Sequence, residues 1–173
     1  MTRLKRCIAI GVGACALATG CATDSPSIDP VASVREADPC TLLTTDEVAI
    51  LAGTEALKPM PDSAFERISD CEWGADAGSV KVRLIASSLT PGVSAEEEAA
   101  QYDHEVLGRP ALVIADDWST CLYEVSFSDL RMLQLTAKPT VEMQRANPTT
   151  FGDTTCDRTR PVLEKAIERL DWS

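Results

Sequence analysis

Seven cysteines, one histidine and several close-set carboxylates are the side chains through which this 173-residue chain could do chemistry. A serine or cysteine nucleophile needs a neighbouring base. The only histidine, His104, lies in the acidic stretch Tyr102-Asp103-His104-Glu105, read as helical, which describes a surface histidine better than a catalytic base. Asp116-Asp117 could supply two carboxyl groups for glycoside chemistry, yet with Trp118 the pair falls between two expected strands and reads as a loop. Glu96-Glu97-Glu98 could collect calcium, but consecutive carboxylates on a helix fan around its axis and do not converge on one ion. Gly108-Arg109-Pro110 could form a recognition loop; glycine and proline explain it equally well as a turn, with Arg109 paired to a nearby acid. The sequence holds no phosphate-cradling glycine loop, no redox C-x-x-C pair and no zinc spacing, so neither cofactor nor metal is expected.

Cysteine placement points to where the chain works. Cys7 and Cys15 fall in an uncharged apolar run from Cys7 to Ala18, which follows basic Arg3, Lys5 and Arg6 and leads into Thr19-Gly20-Cys21. That is the three-part layout of a secretory signal, and the run is shorter than the roughly 20 residues of a membrane-spanning helix. Ala18-Thr19-Gly20-Cys21 resembles a lipobox, which signal peptidase II reads once the cysteine carries a diacylglyceryl group, although the usual leucine is displaced to Leu17. The rival Val12-Gly13-Ala14-Cys15 leaves too short an apolar region after Arg6. Residues 1–20 are therefore expected to be removed and Cys21 to carry palmitate-type chains at the extracytoplasmic face of the cell membrane. Cleavage without lipid, for instance after Ala18, is the alternative. Two or three acyl chains, at about 0.8 kcal/mol per buried methylene, suffice as an anchor. Residues 21–37, with Asp24, Pro26, Asp29 and Pro30 and no sustained periodicity, read as a flexible tether, which leaves 38–173 as one domain.

Charge narrows the partners. The formal charge of -11 rests on 16 basic and 27 acidic residues, and losing Arg3, Lys5 and Arg6 leaves 13 basic residues and -14. Such a surface repels nucleic-acid phosphates and anionic headgroups, so nucleic acid is excluded and the lipid is the expected membrane contact. At 45% hydrophobic and 25% charged residues, the composition is that of an ordinary globular domain.

The elements that would position these groups follow from period and caps. Thr44 with Glu47 is a capping box opening a helix whose apolar face is Val48, Leu51 and Ala52 and whose stop is Gly53. Ser94-Ala95-Glu96-Glu97 repeats the start signal for a second, acidic helix to about Tyr102. Val162, Leu163, Ala166, Ile167 and Leu170 mark a third helix, kinked at Pro161 if it begins before Cys156. Period-two runs at Val80 to Ala86, Cys121 to Phe127 and Leu133 to Ala137 predict half-buried strands, with others at 69–74 and 111–115. The fold class is α+β: one antiparallel sheet of about five strands, helices on one face.

With the first three cysteines set aside, Cys40, Cys71, Cys121 and Cys156 are expected to form two disulfides in an oxidising compartment. Spacing leaves three connectivities open. Cys71 with Trp73, like Cys121 with Tyr123, shares one strand face, which favours Cys71 to Cys121 across the sheet and Cys40 to Cys156 by remainder. A Cys40 to Cys71 link would overturn that pairing.

Asp38-Pro39-Cys40-Thr41-Leu42-Leu43-Thr44-Thr45-Asp46-Glu47-Val48, Cys71-Glu72-Trp73, Gly108-Arg109-Pro110-Ala111, the strand opening at Cys121, and Cys156 before a terminal helix stand in a recognisable order. Over residues 38–170 that order resembles an actinobacterial lipoprotein family catalogued as domain of unknown function 3558. The resemblance implies a small α+β domain outside the membrane and brings no activity with it. The expected function is that of a non-enzymatic cell-envelope lipoprotein. Its domain would bind an unknown protein or small-molecule ligand through the open sheet face or the cleft between sheet and helices. A secreted carboxylate-dependent enzyme and a structural or inhibitory partner of another envelope protein are the alternatives.

Overall fold

A computed structural model describes residues 29–54, 57–62, 65–75, 78–87, 100–127, 130–146 and 154–172. Its frame is one antiparallel sheet of β1 (Pro59–Asp62), β2 (Ile68–Ala75), β3 (Gly78–Ala86), β4 (His104–Val106), β5 (Arg109–Asp116), β6 (Cys121–Phe127) and β7 (Arg131–Lys138). The spatial order is β1-β2-β3-β7-β6-β5-β4, seven strands rather than about five. The two strands that the period-two reading misses, β1 and β4, are the sheet's edges. β1 has proline at two of its four positions, which an edge tolerates because its outer N–H groups have no partner, and β4 is three residues long. Neither is long enough to display an alternation.

The alternating strands bury one face. Val80, Val82, Leu84, Val125, Leu133, Leu135 and Ala137 are fully buried there, under α1 (Pro30–Glu36), α2 (Thr45–Ala52) and α4 (Thr155–Leu170); a further short helix, α3 (Val141–Ala146), follows β7. α2 begins as the capping box predicts: Thr44 Oγ1 accepts from the Glu47 N–H at 3.3 Å and Glu47 Oε2 accepts from the Thr44 N–H at 2.9 Å. It ends at Gly53, whose φ of 75° is left-handed. α4 does begin before Cys156, and the helix continues through Pro161, which lies on its exposed side.

Three expectations change. Residues 30–37 belong to the domain and not to a tether: Asp29 caps α1 by accepting from the Val31 N–H at 3.0 Å, Pro30 occupies the first turn, and Val34 is completely buried. An Asp-Pro pair suits a loop, but it equally suits an N-cap followed by the first helical residue. The stretch around His104 is strand β4, not helix; Ser94 to Ala99 lie outside the described residues, and Ala100 and Gln101 form a turn. The disulfides join Cys40 to Cys71 and Cys121 to Cys156, with Cα separations of 5.2 and 5.0 Å. Cys71 and Cys121 do share the buried face. However, β3 and β7 lie between their strands, so the two are roughly 14 Å apart at the usual strand spacing, well beyond disulfide reach.

The end of the chain is locked by stacked side chains. Arg109 lies 4.3 Å over the Phe127 ring and donates to the Trp172 carbonyl at 2.6 Å; among the described residues it pairs with that backbone and not with an acid. Trp172 meets Phe127 edge to face at 5.1 Å, Arg131 lies 4.5 Å over the Trp172 ring, and Arg131 donates to Ser33 Oγ on α1 at 2.7 Å. These contacts fasten the first and last helices to the same end of the sheet, where Phe127 on β6 pairs with Arg131 on β7.

The start of β3 shows how closely backbones approach. Gly78 has a φ of 131°, and a Cβ there would sit 2.7 Å from Thr140 Cγ2 and 3.0 Å from the Ala52 carbonyl. Gly78→Ala is therefore expected to destabilise the domain by about 1–3 kcal/mol, read as a lower urea midpoint with unchanged slope.

Candidate functional site

The groups singled out for chemistry are mostly engaged in holding the chain. His104 is exposed on edge strand β4 with Nε2 3.4 Å from Asp103, and no nucleophile is hydrogen-bonded to it among the described residues. Asp116 Oδ1 accepts from the Cys156 N–H at 3.2 Å, tying the end of β5 to the start of α4. Asp117 closes its own turn: Oδ1 accepts from the Ser119 hydroxyl at 2.8 Å and from the Ser119 and Thr120 N–H groups at 2.7 Å each. These bonds, the Ser119 hydroxyl first, hold its carboxyl below the ordinary range. Cys21 and Glu96-Glu97-Glu98 lie outside the described residues. Among the described residues no group of three or more His, Cys, Asp or Glu side chains could hold a metal ion, and no helix is long and apolar enough to cross a membrane.

The face of the sheet away from α1, α2 and α4 carries a polar row in register, Asp70, Arg83, Gln134 and Glu124, on β2, β3, β7 and β6. Its members satisfy one another. Asp70 Oδ2 lies 3.0 Å from both Arg83 and Lys81, while Glu124 accepts from Gln134 at 2.7 Å and from the Tyr102 hydroxyl at 2.8 Å. On the opposite face the core residues already fill the space between sheet and helices. The recess beside these surfaces, between the end of α1 and β1–β2 and bordered by Glu36, Asp38, Pro61 and Asp70, is small, about 240 Å³.

A larger recess opens at one end of the sheet. The register places the end of β7, the start of β3 and the β5–β6 turn side by side, since Ser79 pairs with Lys138 and Cys121 pairs with Ala137. α3 closes the far wall. It is fixed by the Thr140 N–H donating to the Ala52 carbonyl at 2.8 Å, by Thr140 Oγ1 accepting from the Met143 N–H at 3.2 Å, and by Gln144 Nε2 donating to the Pro139 carbonyl at 2.8 Å. The result is an open pocket of about 490 Å³ between Glu72, Ser79 and Lys138 on the sheet, Trp118 and Ser119 on the turn, and Val141 and Gln144 on α3.

Trp118 is the residue the sequence reading passed over. It is 65% exposed, against 3% for Trp73 and 7% for Trp172, and Val141 opposite it is 50% exposed. The signal was available: an indole in a tight turn between two strands has no core within reach. Pockets of this size, with a few polar groups around an apolar surface, are the usual form of a small-ligand site.

No curated protein and no solved structure matches the chain. A family model does, from Ile10 inside the apolar run to Arg169 in the last turn of α4. The chain belongs to the family described as protein of unknown function (DUF3558), which matches residues 10–169.

Proposed function

We propose that the protein is a cell-envelope lipoprotein held to the extracytoplasmic face of the membrane by acyl chains on Cys21, and that its domain is a non-enzymatic binding module. The observation that carries the binding reading is the exposed Trp118 beside a walled pocket. The address is supported by the disulfides, which suit an oxidising compartment. It is also supported by a family match that begins at residue 10, so the segment leading to Cys21 is family sequence and not an appendage. α1 begins at Pro30, which leaves a short span between the lipid and the domain.

Cys21→Ala or globomycin treatment is expected to move the protein from the membrane fraction to the soluble one, or to let uncleaved precursor accumulate. Fractionation with immunoblotting reads this; full membrane retention of a normally processed Cys21→Ala protein would refute the anchor. For the module, native mass spectrometry of the wild-type protein is expected to show a co-purifying ligand mass that Trp118→Ala loses.

A further inference from the structure

The chemistry of the pocket narrows the class of ligand, on the reading that this pocket is the binding site. Its two charges oppose each other, Glu72 from β2 and Lys138 from the end of β7. Glu72 has a distant ion pair with Lys81 at 3.8 Å, and the Lys138 ammonium has no hydrogen-bond or ionic partner among the described residues. The Ser79 hydroxyl likewise has no side-chain partner there. A site for a phosphorylated or carboxylated ligand would carry arginine forks or several cations, not one lysine facing a glutamate. A site for a quaternary ammonium would enclose it in aromatic faces, whereas here one indole stands near a lysine. A site for an acyl chain would be enclosed and apolar, and this pocket is open and lined in good part by polar groups.

What remains is an uncharged ligand with one flat C–H face and many hydroxyls. The negative face of an exposed indole attracts weakly polarised C–H groups, while Glu72 accepts and Lys138 donates hydrogen bonds to hydroxyls at the rim. We infer that the pocket beside Trp118 is a saccharide subsite, with the sugar ring stacked on the indole and its hydroxyls held by Glu72, Lys138 and Ser79.

Because Trp73 and Trp172 are buried, collisional quenching of tryptophan fluorescence by acrylamide reports mainly on Trp118. The test is made on the full mature protein in mild detergent. The probes are soluble oligosaccharides of glucose, N-acetylglucosamine, mannose, galactose and arabinose at millimolar concentration, followed by acrylamide quenching and saturation-transfer NMR. At least one saccharide is expected to give saturation transfer and to shield Trp118 from acrylamide. Trp118→Ala, at an exposed position and checked for native disulfides and near-ultraviolet dichroism, abolishes the transfer. Lys138→Ala and Glu72→Gln each weaken binding by roughly fivefold, the loss of one hydrogen bond. Absence of shielding by every saccharide overturns the inference, as does transfer that survives Trp118→Ala. If a short peptide, choline or inorganic phosphate shields Trp118 where sugars do not, the saccharide assignment falls and the pocket stands. If Trp118→Ala leaves a native co-purifying ligand in place, the pocket reading falls too.

Discussion

Replacing Cys121 and Cys156 together by alanine, or Cys40 and Cys71 together, lowers the unfolding free energy by about 4 kcal/mol in each case. The bridges close separations of 31 and 35 residues, and their constraint on the unfolded chain grows only slowly with loop length. The loops follow one another along the chain without overlap, so the two losses add to about 7–8 kcal/mol. A typical domain has about 5–15 kcal/mol in all. Full reduction is therefore expected to unfold the protein or leave it marginal at ordinary temperature, whereas either pair of alanines alone leaves it folded. Urea unfolding of the oxidised protein, both double variants and the reduced chain reads this directly. Unchanged midpoints in both double variants would show that the bridges constrain nothing. Peptide mapping without reductant should recover Cys40 joined to Cys71 and Cys121 joined to Cys156, and a Cys71 to Cys121 peptide would contradict the sheet order itself.

Arg169→Ala costs about 3 kcal/mol, because it takes the guanidinium from a buried carboxylate and leaves it the Thr44 N–H and the more distant Lys165. Glu47 is 5% exposed and does two jobs: it completes the capping box of α2 and receives both terminal nitrogens of Arg169 from α4, at 2.5 and 2.8 Å. Arg169 also donates to the Leu42 carbonyl at 2.8 Å, and Lys165 stands 3.5 Å from Glu47 Oε1. The Arg169 hydrogen bonds, against the opposing effect of burial, pull the Glu47 carboxyl down from 4.5 to about 2. A carboxyl whose folded pKa is depressed contributes its stability above the unfolded value and loses it as pH falls. This contribution, about 3 kcal/mol, is thus complete above pH 4.5, declines between 4.5 and about 2, and is absent below. Glu47→Gln should be destabilised at pH 7 and nearly equal to wild type near pH 2, and Arg169→Ala should flatten the same acid limb. Equal losses for Glu47→Gln at both pH values would exclude the ionic account. Urea titrations across that range, with the disulfides intact, are the measurement.

Glu47 marks the border of what can be read along a chain. Its capping role was legible because the partner, Thr44, is three residues away, and a helix start is a local hydrogen-bonding problem. Its ion pair with Arg169 spans 122 residues, and no periodicity points to it. The strands behave alike: β2, β3, β5, β6 and β7 are long enough to alternate, whereas β1 and β4 exist only because an adjacent strand offers them a ladder. Asp29-Pro30 carried a helix-start signal, but seven residues do not make a stable helix in water; burial of Val34 against the sheet sustains α1.

The sequence by itself determined the fold class, the apolar faces, the first cap of α2, the four cysteines left for pairing and the strongly acidic surface, because period, capping and composition act within a few residues or over the whole chain. Only the tertiary structure decided that β3 and β7 separate Cys71 from Cys121, that Arg109 turns to Trp172, and that Trp118, Lys138 and Glu72 border one pocket. Strand order is the physical reason. It is set by how the whole set of apolar faces is buried at once, and each of these pairings depends on which strands lie between the partners.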